Sequence, residues 1–256
     1  MENRIALVTG AGRGIGRAIA TGLAAEGAPV AVTARSVDEL ENLAREVRAG
    51  GGEALVVPDD LSDRSAPHRI VRTVADTWGP IEILVNNAGV GSSQNPKPLV
   101  EFDDDFWDLT LMVNLTAPYL LTKLVLPSMM ERGWGRIINI SSIAGRIGGE
   151  HGAAYGVSKH GLLGLTRSTA VEAAAHGITA NAVCPGVTRS RLNDRRLEYD
   201  SRRLGVSFEQ LERESTPLGR RLEPEEVSVL AVQLARDEAR GINGQCINVC
   251  GGRVFG

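Results

Sequence analysis

The chain has 256 residues, of which 43% are hydrophobic and 23% are charged, and we expect it to form one domain over residues 1–256. Its formal net charge of −3 argues against nucleic acid and anionic membranes as partners. No apolar run approaches the roughly 20 residues of a membrane span. Three cysteines without metal-ligand spacing predict reduced thiols, no metal site and a cytoplasmic location.

Short apolar runs alternate with longer helical patterns along the chain. The runs, which are typical of buried parallel strands, are Ile5–Val8, Val30–Thr33, Ala54–Val57, Ile83–Val85, Arg136–Ile140, Thr179–Val183 and Cys246–Val249. The main helical patterns are Val37–Arg48, Ser65–Trp78, Asp103–Arg132, Ala153–His176 and Pro224–Asp237. This alternation predicts an α/β fold: a single-domain, Rossmann-type, doubly wound parallel sheet of about seven strands, flanked by helices.

The first strand runs into a glycine-rich turn with the spacing Gly10-x-x-x-Gly14-x-Gly16. Glycines allow the backbone to approach a ligand closely, and the amides at a helix N-terminus suit a pyrophosphate. We therefore expect Gly10, Gly14, Ile15 and Gly16 to bind a dinucleotide. The turn also fits a loop that only packs a helix on a strand, and its spacing differs from the common G-x-G-x-x-G pattern.

The end of the second strand bears on which dinucleotide would bind, and NAD(H) and NADP(H) are the two we compare. An acid at this point would bind the ribose 2′-hydroxyl of NAD(H), but the sequence has Ala34 there, followed by Arg35 and Ser36. Arg13 in the glycine-rich turn adds a second guanidinium that can hold a phosphate. We therefore favour NADP(H), with NAD(H) as a possible cofactor. The alternative is that both arginines are solvated surface residues.

Tyr155 and Lys159 are four residues apart, so on a helix they share one face. Reduction of a carbonyl by hydride needs a proton donor, and a nearby cation is expected to lower the pKa of a tyrosine. Ser142 ends a strand thirteen residues before Tyr155, where its hydroxyl can polarise a substrate oxygen. The alternatives are a surface tyrosine with a packed lysine stem, and Ser141 in place of Ser142.

The glycine spacing resembles that of the short-chain dehydrogenase/reductase family, and further motifs of that family follow in the expected order. They are DDL at Asp59–Leu61, NNAG at Asn86–Gly89, VN at Val113-Asn114, INISS at Ile138–Ser142, YGVSK at Tyr155–Lys159 and CPG at Cys184–Gly186. The resemblance covers nearly the whole chain. It implies an enzyme that transfers hydride between a nicotinamide cofactor and a CH-OH or C=O group.

The resemblance also implies roles for individual residues. Tyr155 would be the general acid in reduction and the base in oxidation. Lys159 would lower the pKa of Tyr155 and bind the nicotinamide ribose, and Ser142 would polarise the carbonyl. Asn114 would kink its helix, and its backbone would hold a water that links Lys159 to solvent. Further cofactor contacts are implied for Asp60 and Leu61 at the adenine, for Asn87, Ala88 and Gly89 along the adenosine and ribose, and for Pro185, Gly186 and Thr188 beside the nicotinamide.

The segment Thr188–Pro217 is polar and lacks a strand, so we predict a substrate lid or insert at about 188–217. Between Arg189 and Glu214 it carries seven arginines and six acids. The arginines could receive an anionic substrate, whereas the near balance of charge favours a solvated helix with internal ion pairs. The substrate pocket is expected to include Gly149, Glu150 and His151.

The substrate class follows from resemblance alone. The ending NVCGG, with Cys250 in place of the usual acid, is similar to aromatic-polyketide ketoreductases and 3-oxoacyl-carrier-protein reductases. The stretch CPGVTRSRL also resembles 3-hydroxybutyrate dehydrogenases. We therefore expect an NADPH-dependent ketoreductase, with oxidation of a secondary alcohol or hydroxy acid as the alternative. A nucleotide-binding sensor without catalysis is disfavoured because Asn114, Ser142, Tyr155 and Lys159, the four residues to which the family assigns catalytic roles, are all present. The family also implies a homo-oligomer, either a dimer or a tetramer.

Overall fold

A computed structural model describes Met1 and residues 3–255; Glu2 and Gly256, the remaining residues of the predicted 1–256 domain, lie outside the described residues. Its centre is a seven-stranded parallel sheet with the order β3-β2-β1-β4-β5-β6-β7, which confirms the predicted α/β fold. The strands are β1 Ala6–Thr9, β2 Val30–Thr33, β3 Ala54–Val56, β4 Ile83–Asn86, β5 Gly135–Ile140, β6 Ile178–Pro185 and β7 Cys246–Val249.

Helices cover both faces of the sheet. They are α1 Gly14–Ala25, α2 Val37–Ala49, α3 Ala66–Thr77, α4 Asp104–Leu111, α5 Ala117–Arg132, α6 Ala153–Ala173, α7 Arg191–Leu204, α8 Phe208–Arg213 and α9 Pro224–Ala235. The apolar sides of α1, α2 and α9 pack on one face, and those of α3, α5 and α6 pack on the other. Two buried layers explain why most strands are apolar throughout rather than alternating.

The long helix predicted over Asp103–Arg132 is interrupted. A π-helical segment, Met112–Thr116, separates α4 from α5. Such segments insert one residue into the helical ladder and are frequent at functional sites. Asn114 lies within it and is fully buried.

The stretch Asp104–Arg132 is also long and apolar enough, by length and composition, to cross a membrane, although the sequence had suggested no such run. Half of its most apolar window is buried within the fold. Leu121, Val125 and Met129 belong to the core beneath the sheet. A core helix of a globular protein passes the same test, so the finding is weak evidence for a membrane span.

The insert contains two helices, α7 and α8, rather than plain loop. Only Leu197 of α7 is buried, which is why the polar sequence gave little periodic signal. Thr188 at the start of the insert forms an isolated parallel bridge with Leu222, and buried Arg221 forms ion pairs with Asp194 and Glu212. These contacts tie the insert to the segment 221–222, which leads into α9.

Candidate active site

A cleft of about 1010 Å³ opens at the carboxyl ends of the strands. Successive strands are added outward from β1 on one side and outward from β4 on the other, so the order of strand connection reverses between β1 and β4. Open α/β sheets bind ligands at such a point. All the predicted cofactor residues line the cleft except Gly16, and so do Ser142, Tyr155 and Lys159. Gly16 and Asn114 lie behind its wall.

The glycine-rich turn has the shape that a bound pyrophosphate requires. Gly10 and Gly14 adopt left-handed conformations, with φ of 64° and 56°. A Cβ on Gly16 would overlap the carbonyl oxygen of Gly10, so this position brings α1 against the turn. No side chain caps the N-terminus of α1, which leaves its first-turn amides facing the cleft without a capping partner. The residues present therefore fit the phosphates of a dinucleotide.

Asn87 braces this turn as well as lining the cleft. Its Nδ2 donates to the carbonyl oxygens of Thr9 and Gly10, at 2.9 and 3.1 Å. The Thr9 hydroxyl accepts from the backbone amides of Asn87 and Ala88, both at 3.0 Å. These four bonds join the end of β1 to the end of β4, so the NNAG motif fixes the geometry of the glycine-rich turn.

The end of the cleft beside β2 carries the groups predicted to choose the cofactor. Arg35 is exposed and has no hydrogen bond or ion pair to any described residue, whereas Arg13 pairs with Glu39 at 3.2 Å. Ser36 caps α2 and accepts from the Glu39 amide. Sequence reasoning missed Glu39. Its position three residues after Ser36 matches a helix-capping pattern, which gives no sign that its carboxylate turns toward Arg13.

Tyr155 and Ser142 come together on the floor of the cleft. Ser142 follows β5 and Tyr155 lies in the first turn of α6, so the crossover places strand end and helix start side by side. The Ser142 hydroxyl hydrogen-bonds the phenol. Its rival, Ser141, is buried and donates to the Lys159 carbonyl oxygen at 3.0 Å, so Ser142 is the serine that meets Tyr155.

The acidity of Tyr155 differs from the sequence-based expectation. Burial raises the pKa of the phenol above 10, and the hydrogen bond from Ser142 only partly opposes this effect. The pKa of Tyr155 is therefore raised overall rather than lowered, because desolvation outweighs the interactions that favour the phenolate. The Lys159 ammonium lies 5.7 Å from the centroid of the Tyr155 ring.

Lys159 is itself strongly perturbed. Its Nζ donates to the carbonyl oxygen of Ile140 at 2.8 Å, and burial lowers its pKa from 10.5 to about 8. At pH 7 the group still carries its proton. It is therefore a cation close to the phenol, where it can stabilise a phenolate.

The side chain of Asn114 bonds two neighbouring segments, while the implied role of its backbone in a water relay stays a prediction. Its Oδ1 accepts from the Val90 amide at 2.7 Å, and its Nδ2 donates to the Val90 carbonyl oxygen at 2.9 Å. The same Nδ2 reaches Ser158, whose hydroxyl donates to the Tyr155 carbonyl oxygen. Asn114 thus ties the loop after NNAG to the helical turn that carries Tyr155.

The substrate side of the cleft is formed by the loop 147–152 and by α7. Arg196 donates to the Glu150 carbonyl oxygen at 3.0 Å, and Arg203 pairs with the Glu150 carboxylate at 2.6 Å. His151 lies 2.6 Å from the Tyr199 hydroxyl and adopts a left-handed φ of 54°. Most insert arginines that line the cleft are in ion pairs with acidic side chains, which agrees with the expectation that the insert is a solvated helix with internal ion pairs. Arg195 has no partner among the described residues.

Comparison with known proteins agrees with this geometry. The family profile described as short chain dehydrogenase matches residues 4–200. A Streptomyces coelicolor protein named "Putative ketoacyl reductase" is 38% identical, with 98% of this chain and 97% of the relative covered. The D-beta-hydroxybutyrate dehydrogenase of Cupriavidus necator is 35% identical, with 99% of both chains covered. A crystal structure of an actinorhodin polyketide ketoreductase variant with NADPH superposes with a TM-score of 0.92 at 37% identity and 98% coverage of both chains. The chain therefore belongs to the short-chain dehydrogenase family and is an oxidoreductase.

Proposed function

We propose that the protein reduces a ketone, a 3-oxoacyl compound or a similar carbonyl, to a secondary alcohol with NADPH. The observation that carries this proposal is the convergence of Tyr155, Ser142 and Lys159 at the nicotinamide end of a cleft whose other end bears Arg13 and Arg35. The similarity to a ketoacyl reductase and to a ketoreductase crystallised with NADPH supports the same activity.

The residues present account for the proton chemistry. A bound reduced nicotinamide supplies the hydride that goes to the carbonyl carbon. Ser142 donates a hydrogen bond to the carbonyl oxygen, and the Tyr155 hydroxyl gives its proton to that oxygen as negative charge develops there. Tyr155 is protonated at neutral pH, as a general acid must be. The charged Lys159 then stabilises the phenolate that remains.

The cofactor preference rests on charge at the β2 end of the cleft. Ala34 supplies no acid to bind a ribose 2′-hydroxyl, and Arg35 has no protein partner among the described residues. A guanidinium with free donors suits a 2′-phosphate. We therefore assign NADP(H) as the principal cofactor, with NAD(H) as a weaker one. Asp60, Leu61, Ala88 and Gly89 line the path between this end and the nicotinamide.

A second candidate function is oxidation of a secondary alcohol or a hydroxy acid such as 3-hydroxybutyrate. Two observations favour it. Glu39 neutralises Arg13, one of the two arginines on which the NADPH preference depends. A D-beta-hydroxybutyrate dehydrogenase is also among the relatives that match the whole chain.

We also propose that the chain acts as a single domain in the cytoplasm and as a homo-oligomer, such as a tetramer. Support for assembly comes from exposed apolar side chains on α4, α5 and α6, namely Leu109, Tyr119, Val157 and Val171. Large exposed apolar groups on neighbouring helices are typical of interaction surfaces. Light scattering of the purified protein at micromolar concentration tests this proposal, and a strictly monomeric mass would refute it.

A screen of cofactor consumption tests the proposed reaction. NADPH oxidation is followed at 340 nm with β-ketoesters, 3-oxoacyl thioesters, cyclic ketones and quinones, and each assay is repeated with NADH. We expect turnover of at least one ketone, with a higher kcat/KM for NADPH. No turnover of any ketone, together with robust oxidation of 3-hydroxybutyrate by NAD, would favour the second candidate instead.

A further inference from the structure

Three charged side chains form a cluster at the β2 end of the cleft. The Glu39 carboxylate lies 3.2 Å from Arg13 of the glycine-rich turn and 3.4 Å from Arg191, the first residue of α7. All three line the cleft. One carboxylate therefore joins three separate parts of the chain: the loop before α1, the first turn of α2 and the insert.

The local fold directs Glu39 into this position. Ser36 caps α2, so Glu39 occupies the third helical position and its side chain turns back toward the glycine-rich loop. There it lies against Gly12, where an added Cβ would be 2.9 Å from Glu39 Oε2 and 3.0 Å from its Cβ. A larger residue at position 12 would therefore crowd the Glu39 side chain in its position beside Arg13.

The cluster is open enough for its partners to exchange. The side chains of Arg13 and Arg191 are 56% and 70% exposed, and that of Glu39 is 27% exposed. Ion pairs with this exposure contribute little to stability, because solvent screens them. A phosphate monoester carries up to two negative charges at pH 7 and has three acceptor oxygens, so it binds two guanidiniums better than one carboxylate does.

We propose that Glu39 is a built-in competitor for the 2′-phosphate of a dinucleotide, and that Arg191 is a further residue that binds this phosphate. In the arrangement observed, the carboxylate occupies guanidinium donors that the phosphate would use. Glu39 therefore weakens the preference for NADP(H) over NAD(H) without making a contact that NAD(H) needs. Because Arg191 begins α7, a bound phosphate also holds the insert to the cofactor end of the cleft.

This inference rests on the proposed dinucleotide-dependent function, so its test measures binding and not turnover. Calorimetry compares adenosine 2′,5′-bisphosphate with 5′-AMP, two ligands that differ only in the 2′-phosphate. The variants are Glu39→Gln, Arg191→Gln and the control Asp38→Asn. Asp38 lies in the same exposed first turn of α2 and is in no ion pair among the described residues, so the control removes the same charge without touching either arginine.

We expect Glu39→Gln to tighten the bisphosphate three- to tenfold and to leave the Kd of 5′-AMP within twofold. Arg191→Gln is expected to weaken the bisphosphate by a similar factor, and Asp38→Asn to change the ratio of the two Kd values less than twofold. An unchanged ratio in Glu39→Gln would overturn the inference while leaving the proposed function intact. So would weaker binding of 5′-AMP, which would show that Glu39 contacts the ribose. If the unaltered protein bound neither nucleotide, the proposed function and the inference would both fail.

Discussion

Replacing Lys159 by methionine should make the protein more stable at neutral pH while removing its activity. Burial lowers the pKa of Lys159 from 10.5 to about 8, a shift of about 2.5 units. At about 1.4 kcal/mol per unit, keeping this group charged at pH 7 costs about 3 kcal/mol of folding free energy. The variant also loses the hydrogen bond from the charged Nζ to the buried Ile140 carbonyl oxygen, which contributes about 2 kcal/mol. The expected net gain is about 1 kcal/mol.

The size of the stability gain in Lys159→Met depends on pH. Between pH 8 and 10.5 the unfolded chain binds the lysine proton while the folded protein has lost it, so the stability of the unaltered protein rises with pH in this window. By pH 10 the advantage of the variant should have nearly disappeared. Urea unfolding at pH 7 and pH 10 measures both values. Lys123→Met, a change at an exposed lysine of α5, serves as the control and should shift stability by less than about 0.5 kcal/mol at either pH. A Lys159→Met protein that was less stable at pH 7, or whose gain did not depend on pH, would refute the reasoning.

Three further changes test the parts that hold the site. Gly16→Ala should destabilise the protein by about 2 kcal/mol or more, because the new Cβ overlaps the Gly10 carbonyl oxygen; a normal melting temperature would contradict this. Asn114→Ala should cost about 3 kcal/mol in urea unfolding, because it leaves the Val90 amide and carbonyl without their partner, and a loss below about 1 kcal/mol would show that water replaces it. Arg221→Met should speed trypsin cleavage within 189–215 while leaving the melting temperature nearly unchanged, since Arg221 holds the insert locally through Asp194 and Glu212. An unchanged digestion rate would contradict that role.

The sheet and the reacting groups could be predicted from sequence because their signals are local. Each strand is a short apolar run, and the four-residue spacing of Tyr155 and Lys159 places both on one face of α6. Ser142 could be predicted to lie near them because a parallel crossover returns the chain to the same edge of the sheet.

What could not be predicted depends on contacts between distant segments. The partner of Arg13 is 26 residues away, and a helix-capping pattern already explains an acid at position 39. The side-chain bonds of Asn114 to Val90 arise only when the π-helical segment faces the end of β4. The raised pKa of Tyr155 reflects burial, which spacing along a helix does not reveal. The two helices of the insert are nearly all polar and are fixed by ion pairs rather than by an apolar stripe.

The central claim is that the Tyr155 hydroxyl transfers the proton. The most direct measurement compares Tyr155→Phe with the unaltered protein, using the best ketone from the screen for turnover and fluorescence titration for NADPH binding. Phenylalanine keeps the ring and removes only the hydroxyl, so we expect kcat to fall about a thousandfold while the Kd for NADPH stays within about threefold. Turnover within tenfold of the unaltered protein would contradict the account.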